Sequence, residues 1–155
     1  MRSDDGLAWH AADELERKLP ASEVEILRVH QLAPELAETV SHFAAVIFVD
    51  AAAAENGQPG EVRCEEIREP AGEVRFSHQL SPSAVFALAG KLYGARPRAF
   101  SVTLTGQCFD HGESLSPVVA AALPALVARV EGVARQFLSA GGELGRELPR
   151  KGNER

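Results

Sequence analysis

The feature that most constrains the fold is a continuous apolar run, Ala44–Val49, that ends abruptly in Asp50. The run is rich in β-branched and aromatic residues and is shorter than an ordinary helix. Such a run is typical of a central strand that is covered on both faces of a sheet. Covering both faces requires a layer of helices on each side, so the run predicts an α/β sandwich.

The rest of the sequence alternates helical and strand patterns. A first helix is predicted from a cap at Ser3 or Asp4 to a stop at Pro20. The buried face of this helix has residues at four-residue spacing: Leu7, Ala11, Leu15 and Leu19. Further helices are predicted over 34–40, 82–92 and 116–138, and strands over 24–29, 44–49, 62–67 and 98–105. The order predicts a three-layer α/β/α sandwich in one domain, 1–140, followed by a polar, disordered tail, 141–155.

Composition excludes several classes of partner. The chain has 155 residues with 22 acidic and 16 basic side chains, and a net charge of −6. A nucleic-acid-binding protein needs a basic surface, and acidity opposes binding to anionic lipid. No apolar run is long enough to span a bilayer and no signal peptide is evident, which predicts a cytoplasmic protein without nucleic-acid or membrane partners. Cys64 and Cys108 are far apart and are interpreted as two buried thiols in strands.

Candidate chemistry follows from the rule that ligands gather at the carboxyl ends of strands in open α/β sheets. Asp50 ends the most apolar strand, and a carboxylate there is costly unless it is solvated, paired or bound to a cation. A loop or helix cap would explain Asp50 equally well. Asp4 and Asp5 fit a capping role worth roughly 0.3–1 kcal/mol, although one aspartate is enough for a cap. His78 lies in a loop before a helix, where most histidines are simply solvated.

Two carboxylates and an imidazole nevertheless form a plausible ligand set for a divalent metal such as zinc or nickel. Only a fold that brings these distant residues together would make them a site. His30 follows a predicted strand and could face the same cleft, and His111 lies in the loop after the last strand. His10 and His42 fit surface or packing roles. The sequence has no GxSxG, HExxH, P-loop or GxGxxG motif.

Five short segments together resemble the hydrogenase maturation protease family. The opening 2–7 (RSDDGL) resembles the family's "R-x-D-D/E-G" motif, and 46–51 (VIFVDA) resembles its central strand ending in Asp-Ala. Segment 58–62 (QPGEV) resembles its "PG-x-V" element, and 77–80 (SHQL) its Ser-His element before a helix. The stretch 106–116 resembles its closing "G…LS" segment. The resemblance runs from about Arg2 to Phe137.

The resemblance implies a specific activity. Members remove a C-terminal extension from the large subunit of a nickel–iron hydrogenase after nickel has been inserted there. It implies a twisted, mostly parallel five-stranded sheet between helices. By motif, it assigns the metal-contacting and catalytic triad to Asp5, Asp50 and His78. The nickel would come with the substrate, and no tightly bound organic cofactor is implied.

The chain departs from the family pattern at its start. The family's first strand and its Gly-Asn turn are absent, and the chain begins in the helix cap. We expect that strand to be encoded upstream of Met1. A second departure is 28–35, where many members carry an Asp-Gly-Gly-Thr-like segment; this difference could alter which large subunit is recognised.

Three hypotheses of different kinds remain at this stage. The first is a monomeric endopeptidase that acts on the large-subunit precursor. The second is a non-catalytic checkpoint protein that binds the nickel-loaded subunit. The third is a general metal-dependent hydrolase that uses the same triad on small substrates. Substitution of Asp50 by asparagine separates them, because it would abolish processing but leave simple binding nearly intact.

Overall fold

The computed structural model describes residues 3–69 and 79–139 of the chain, with side chains described through residue 138. Two short 3-10 helices, Ser3–Gly6 and Ala54–Asn56, accompany the regular elements. The regular elements in chain order are α1 (Leu7–Lys18), α2 (Leu36–Ser41), β1 (Ala45–Ala52), β2 (Val62–Ile67), α3 (Pro82–Tyr93), β3 (Arg98–Thr105) and α4 (Pro117–Ser139). The predicted tail and His78 lie outside the described residues.

The described strands form one mixed sheet in the order β1-β3-β2. β1 runs parallel to β3, with Asp50 opposite Thr103, and β2 runs antiparallel to β3, with Arg63 opposite the same Thr103. The prediction of a mostly parallel, five-stranded sheet is therefore not met within the described residues. β2 is antiparallel because it returns from the carboxyl end of β1 through a short connection, without the helical crossover that a parallel strand needs.

Helices cover the two faces of this sheet and give two cores. On one face, the apolar stripe of α1 packs with α4 against β3, and this larger core contains Leu7, Leu15, Val102, Leu104 and Leu126. On the other face, α2 and α3 pack together against Val46 and Phe48 of β1. The four residues predicted for the α1 stripe are all buried. The sandwich architecture predicted from the apolar run is thus confirmed.

The predicted strand 24–29 is wrong. Backbone groups of residues 25–29 form no backbone hydrogen bond within the described part of the chain, so no ladder exists there. Val24 and Ile26 still pack against the larger core, whereas Leu27 and Val29 are 52% and 42% exposed. The alternation that suggested a strand is real, but a strand also requires a hydrogen-bonded neighbour. Likewise, β1 pairs on one side only among the described strands, so it is not the central strand that its sequence predicts.

Both ends of α3 are capped, whereas the cap predicted for α1 at Ser3 or Asp4 is wrong. The Ser81 hydroxyl accepts a hydrogen bond from the Ala84 N–H at 3.1 Å, and Gly94 ends α3 with a left-handed φ of 64°. The N-cap residue of α1 is Gly6, which has no side chain that could accept a hydrogen bond from the first turn of the helix. Ser3 and Asp4 instead belong to a 3-10 helix and bond to a distant loop. Asp4 is buried, so it was unavailable as a solvent-exposed cap.

α4 is the one helix in the described part of the chain that is long and apolar enough to cross a membrane. Its span Pro117–Leu138 has a mean hydropathy of 1.5. Within the fold, one face of this helix packs in the larger core, through Val119, Leu126 and Val130. Core helices of globular domains share this composition, so the span is evidence for a core element at least as much as for a membrane segment.

Two glycines are expected to respond oppositely to alanine. Gly60 has φ +85° and an added Cβ would lie 3.1 Å from Val118 Cγ2, so Gly60→Ala should lower the free energy of unfolding by about 1–2 kcal/mol. Gly132 lies inside α4, and an added Cβ would meet no described atom within 4 Å apart from its own helical backbone and chain neighbours, so Gly132→Ala should raise the free energy of unfolding by about 0.5–1 kcal/mol. Urea unfolding of both variants measures the two values. Equal effects of the same sign would contradict this description of the turn at Gly60.

Candidate functional site

Asp50 lies near the carboxyl end of β1, on the edge of the sheet where α/β proteins bind ligands. Its Oδ1 accepts a hydrogen bond from the Ala51 N–H at 2.8 Å. The side chain keeps contact with solvent, yet the surrounding protein partly dehydrates it, and this dehydration raises the pKa of Asp50 above its usual value. The hydrogen bond from Ala51 opposes the rise in the pKa of Asp50, and the negative charge of Asp5 adds to it.

Asp5 is exposed in the 3-10 helix Ser3–Gly6, and this helix packs against β1. Its charge is near enough to Asp50 to disfavour ionisation of that carboxyl. Two carboxylates in such proximity repel one another, and a divalent cation between them would relieve the repulsion. The structure therefore brings two of the three predicted site residues to one edge of the sheet.

Asp4 fixes the position of Asp5, and this role was not predicted from the sequence. Its Oδ2 accepts hydrogen bonds from the Gln107 and Cys108 N–H groups, each at 2.8 Å. Ser116 donates to the same carboxylate, from its N–H to Oδ1 at 2.7 Å and from its hydroxyl to Oδ2 at 2.8 Å. The chain start is thereby tied to the loop that links β3 to α4.

Backbone bonds reinforce this tie. The Ser3 N–H donates to the Asp110 carbonyl and the Asp4 N–H to the Cys108 carbonyl, each at 3.0 Å. The Ser3 hydroxyl donates to the Ser114 carbonyl at 2.6 Å. Burial alone would raise the pKa of Asp4, but the hydrogen bonds that it accepts outweigh burial and lower that pKa below its ordinary 3.8. The carboxylate is therefore a stable buried anion that holds the segment carrying Asp5.

A sequence signal for this anchor is weak, because Asp4 and Asp5 are adjacent and chemically identical. The distinction comes from packing: Asp4 has no exposed surface, whereas Asp5 is exposed. The close approach of Gly106 to Asp4 gives one retrospective clue. A Cβ on Gly106 would lie 2.5 Å from Phe109 Cζ and 3.1 Å from the Cβ of Asp4, so a side chain at position 106 would displace the Phe109 ring and crowd Asp4.

His78, the third predicted site residue, lies outside the described residues, so its position relative to Asp5 and Asp50 stays a prediction. Within ranges 3–69 and 79–138, no group of three or more histidine, cysteine, aspartate or glutamate side chains is arranged to hold a metal ion. The two described carboxylates fit a divalent cation by donor chemistry, but they would need further ligands from the chain or from a substrate.

The remaining histidines and the cysteines have simpler surroundings. The His30 ring packs against Trp9 with centroids 5.2 Å apart and the ring planes tilted by 39°, and His10, His42 and His111 are exposed. Cys64 and Cys108 are free thiols, as predicted, but both are half-buried and Cys108 lies in a loop rather than in a strand. β3 ends at Thr105, as its predicted range 98–105 already implied, so Cys108 lies beyond the strand.

Comparison with solved structures relates this arrangement to known proteins. The hydrogenase maturating endopeptidase HybD from E. coli superposes with a TM-score of 0.72 at 21% identity, over 87% of this chain and 86% of that one. The [NiFe] hydrogenase maturation protease HycI from Thermococcus kodakarensis KOD1 gives 0.67 at 19% identity, over 86% and 85%. HybD from Thermococcus kodakarensis gives 0.64 at 21% identity, over 86% and 92%.

The chain has the hydrogenase maturation protease fold. No protein-family model matches the sequence, and no curated protein matches it significantly. At about one-fifth sequence identity, the likeness establishes the fold and not the activity. The family resemblance drawn from five short motifs is thus confirmed at the level of structure, over most of the chain.

Within the hydrogenase maturation protease fold, the described site consists of a paired carboxylate edge, Asp5 and Asp50, and the buried anchor Asp4. The 3-10 helix that carries Asp5 docks on β1 from one side, and the loop after β3 holds it from the other. This arrangement can bind and orient a cation or a polarised group at the sheet edge. It also leaves Asp50 a better proton acceptor than an ordinary aspartate, because its pKa is raised.

Proposed function

We propose that this chain is an endopeptidase that removes the C-terminal extension of a nickel–iron hydrogenase large-subunit precursor after nickel insertion. The observation that carries the proposal is the electrostatically coupled pair Asp5 and Asp50 at the carboxyl edge of a hydrogenase maturation protease fold. The proposal includes a cytoplasmic location and action as a monomer. It adds His78 as the third member of the triad, by motif.

The mechanism treats nickel as part of the substrate. Asp5, Asp50 and His78 complete the coordination of the nickel that the precursor carries, which holds the scissile peptide bond at the sheet edge. Water then adds to the carbonyl carbon, the C–N bond breaks, and the new amine takes up a proton. Asp50 can accept the proton that the water loses and pass it to the departing amine. Cleavage depends on loaded nickel, because without it the two carboxylates repel each other and the ligand set is incomplete.

A mass measurement tests the proposal. Purified protein is mixed with nickel-loaded large-subunit precursor and, in parallel, with the same precursor lacking nickel. Loss of the C-terminal extension from the loaded precursor only is the expected result. Binding without loss of mass would replace the proposal with a checkpoint function. Hydrolysis of small peptides without the precursor, accompanied by tightly bound zinc or manganese, would replace it with a general metal-dependent hydrolase.

A further inference from the structure

A polar cleft of about 130 Å³ lies beside Asp50 on the face of the sheet shared with α3. Side chains opposite one another in paired strands share a face, so Asp50, Thr103 and Arg63 form one row across β1, β3 and β2. Ser101 and Glu65 form part of the next row. The residues lining the cleft are Ala52, Asn56, Arg63, Glu65, Ser101 and Thr103.

Among the charged side chains that line this cleft, Arg63 has an ion-pair partner and Glu65 has none among the described residues. Arg63 is already paired with Glu61, with its Nε 3.1 Å from Glu61 Oε1. Glu65 forms no ion pair or side-chain hydrogen bond with any residue that the structure describes. Glu66, its neighbour on the opposite face of β2, is by contrast paired with Arg98 at 2.6 Å. The exposed carboxylate of Glu65 therefore faces the cleft without a counter-charge among residues 3–69 and 79–138, and Asp50 in the adjoining row adds to the negative potential.

Two hydroxyl groups line the same cleft as that carboxylate. The hydroxyls of Ser101 and Thr103 face the cleft, and neither donates or accepts a side-chain hydrogen bond within the described residues. Further along the same face, Thr105 is 1% exposed and its Oγ1 has no partner there. If residue 57 carried a Cβ, that atom would lie 3.0 Å from Thr105 Oγ1 and 3.3 Å from Arg63 Nη2. Thr105 lies beyond the residues that line the cleft, so its hydroxyl shows the polar character of this face and not a contact of the cleft itself.

We propose that this cleft binds a cationic side chain of the polypeptide substrate, with Glu65 as the specificity-determining residue. A guanidinium matches it best, because its fixed set of N–H donors can pair with a carboxylate and also reach neighbouring hydroxyls. The inference rests on the proposed function, since it supposes that a peptide passes Asp50. It assigns a residue outside the Asp5, Asp50 and His78 triad.

Strand geometry sets the reach of this subsite. Two inter-strand steps of about 4.8 Å and one two-residue step of about 6.8 Å put the Cα of Glu65 about 12 Å from that of Asp50. An extended peptide rises about 3.4 Å per residue. The cationic residue therefore lies within about four residues of the bond cleaved near Asp50, and a long arginine side chain brings it closer in sequence.

A titration with a small probe tests the cleft without any processing assay. Uniformly ¹⁵N-labelled protein is titrated with N-acetyl-arginine amide, and separately with N-acetyl-citrulline amide, which has nearly the same shape and no charge. Backbone amides of Glu65, Ser101 and Thr103 should shift with the arginine probe only. Glu65→Gln should weaken that binding by about fivefold, the size of one partly exposed ion pair. Glu66→Gln should leave it unchanged, since Glu66 lies on the other face.

Equal shifts with both probes, shifts confined to Asp5 and Asp50, or full binding by the Glu65→Gln protein would each overturn the assignment. With the precursor as substrate, replacing its cationic residue by glutamine should lower kcat/KM about fivefold in the wild type and have no effect in Glu65→Gln. If the wild type processes no precursor, the proposed function fails. The probe titration then still decides whether the cleft binds a guanidinium.

Discussion

Replacing Asp50 by asparagine should reduce processing of the nickel-loaded precursor by at least about a hundredfold, because a positioned carboxylate is lost at the reacting bond. Asparagine keeps the size of the side chain and can still accept the hydrogen bond from Ala51. The fold should therefore survive. Precursor mass measured over time gives the rate, and Glu55→Gln is the matched control, since Glu55 is an exposed carboxylate just beyond the same strand.

Stability should move in the opposite direction from activity. Because the folded-state pKa of Asp50 is raised, the folded protein binds more protons than the unfolded chain just above pH 3.8, and ionised Asp50 opposes folding at neutral pH. Asp50→Asn should thus be at least as stable as the wild type at pH 7. Any gain should shrink as the pH falls towards 3.8 and Asp50 becomes protonated. Asp5→Asn should lower the pKa of Asp50, as measured by carboxyl ¹³C titration.

These results discriminate between a functional and a structural carboxylate. A variant that processes precursor at the wild-type rate would remove Asp50 from the mechanism. A variant that is inactive but markedly less stable would show only that Asp50 supports the fold. Inactivity with retained stability and retained precursor binding is the combination expected of a residue that acts on the substrate.

The second large effect concerns Asp4. Asp4→Asn should lower the free energy of unfolding by about 3–5 kcal/mol, since an amide cannot accept the four hydrogen bonds from Gln107, Cys108 and Ser116 that the carboxylate accepts. For a domain of this size, that loss corresponds to a decrease of about 10 °C in Tm. Thermal unfolding measures it. Asp5→Asn is the control, because this exposed neighbour should change stability by only about 0.5 kcal/mol.

The pH dependence of the same variant checks the cause. The folded-state pKa of Asp4 is lowered, so its carboxylate stabilises the wild type above pH 3.8, and this stabilisation is lost as the pH falls through the lower folded-state pKa. The difference in stability between wild type and Asp4→Asn should therefore shrink in acid. A difference that is constant from pH 7 to pH 3 would mean that packing, and not the ionised carboxylate, is responsible.

Sequence reasoning recovered the elements whose signals are local. The strands 62–67 and 98–105 and the stripe of α1 are determined by side-chain alternation and four-residue spacing, which persist in the folded chain. Sequence reasoning failed where the structure of a segment depends on whether another strand pairs with it. Segment 24–29 alternates like a strand but has no paired partner among the described residues, and the run 44–49 reads as central although β1 pairs only with β3 there.

The site shows the same division. Asp50 could be selected because it follows an apolar strand at the edge where ligands bind, and Asp5 because a short motif carries it. The anchoring role of Asp4 could not be predicted from the sequence. Burial distinguishes Asp4 from Asp5, and Asp4 is buried because the distant loop 107–116 closes over it. Glu65 was not singled out either, because its missing counter-ion becomes visible only when Arg63 is seen to pair with Glu61.

The tie between Asp4 and Ser116 has a consequence for how the protein is made. The two residues are 112 positions apart, so the beginning of the chain emerges from the ribosome long before its partner exists. Until the loop after β3 has been synthesised, the Asp4 carboxylate must remain in water, and the segment bearing Asp5 cannot take its place on β1. Closing so long a loop is entropically costly and slow compared with local helix formation. The sheet edge that carries Asp5 and Asp50 is therefore expected to assemble among the last events of biosynthesis, and an unfinished chain would lack this pair of carboxylates.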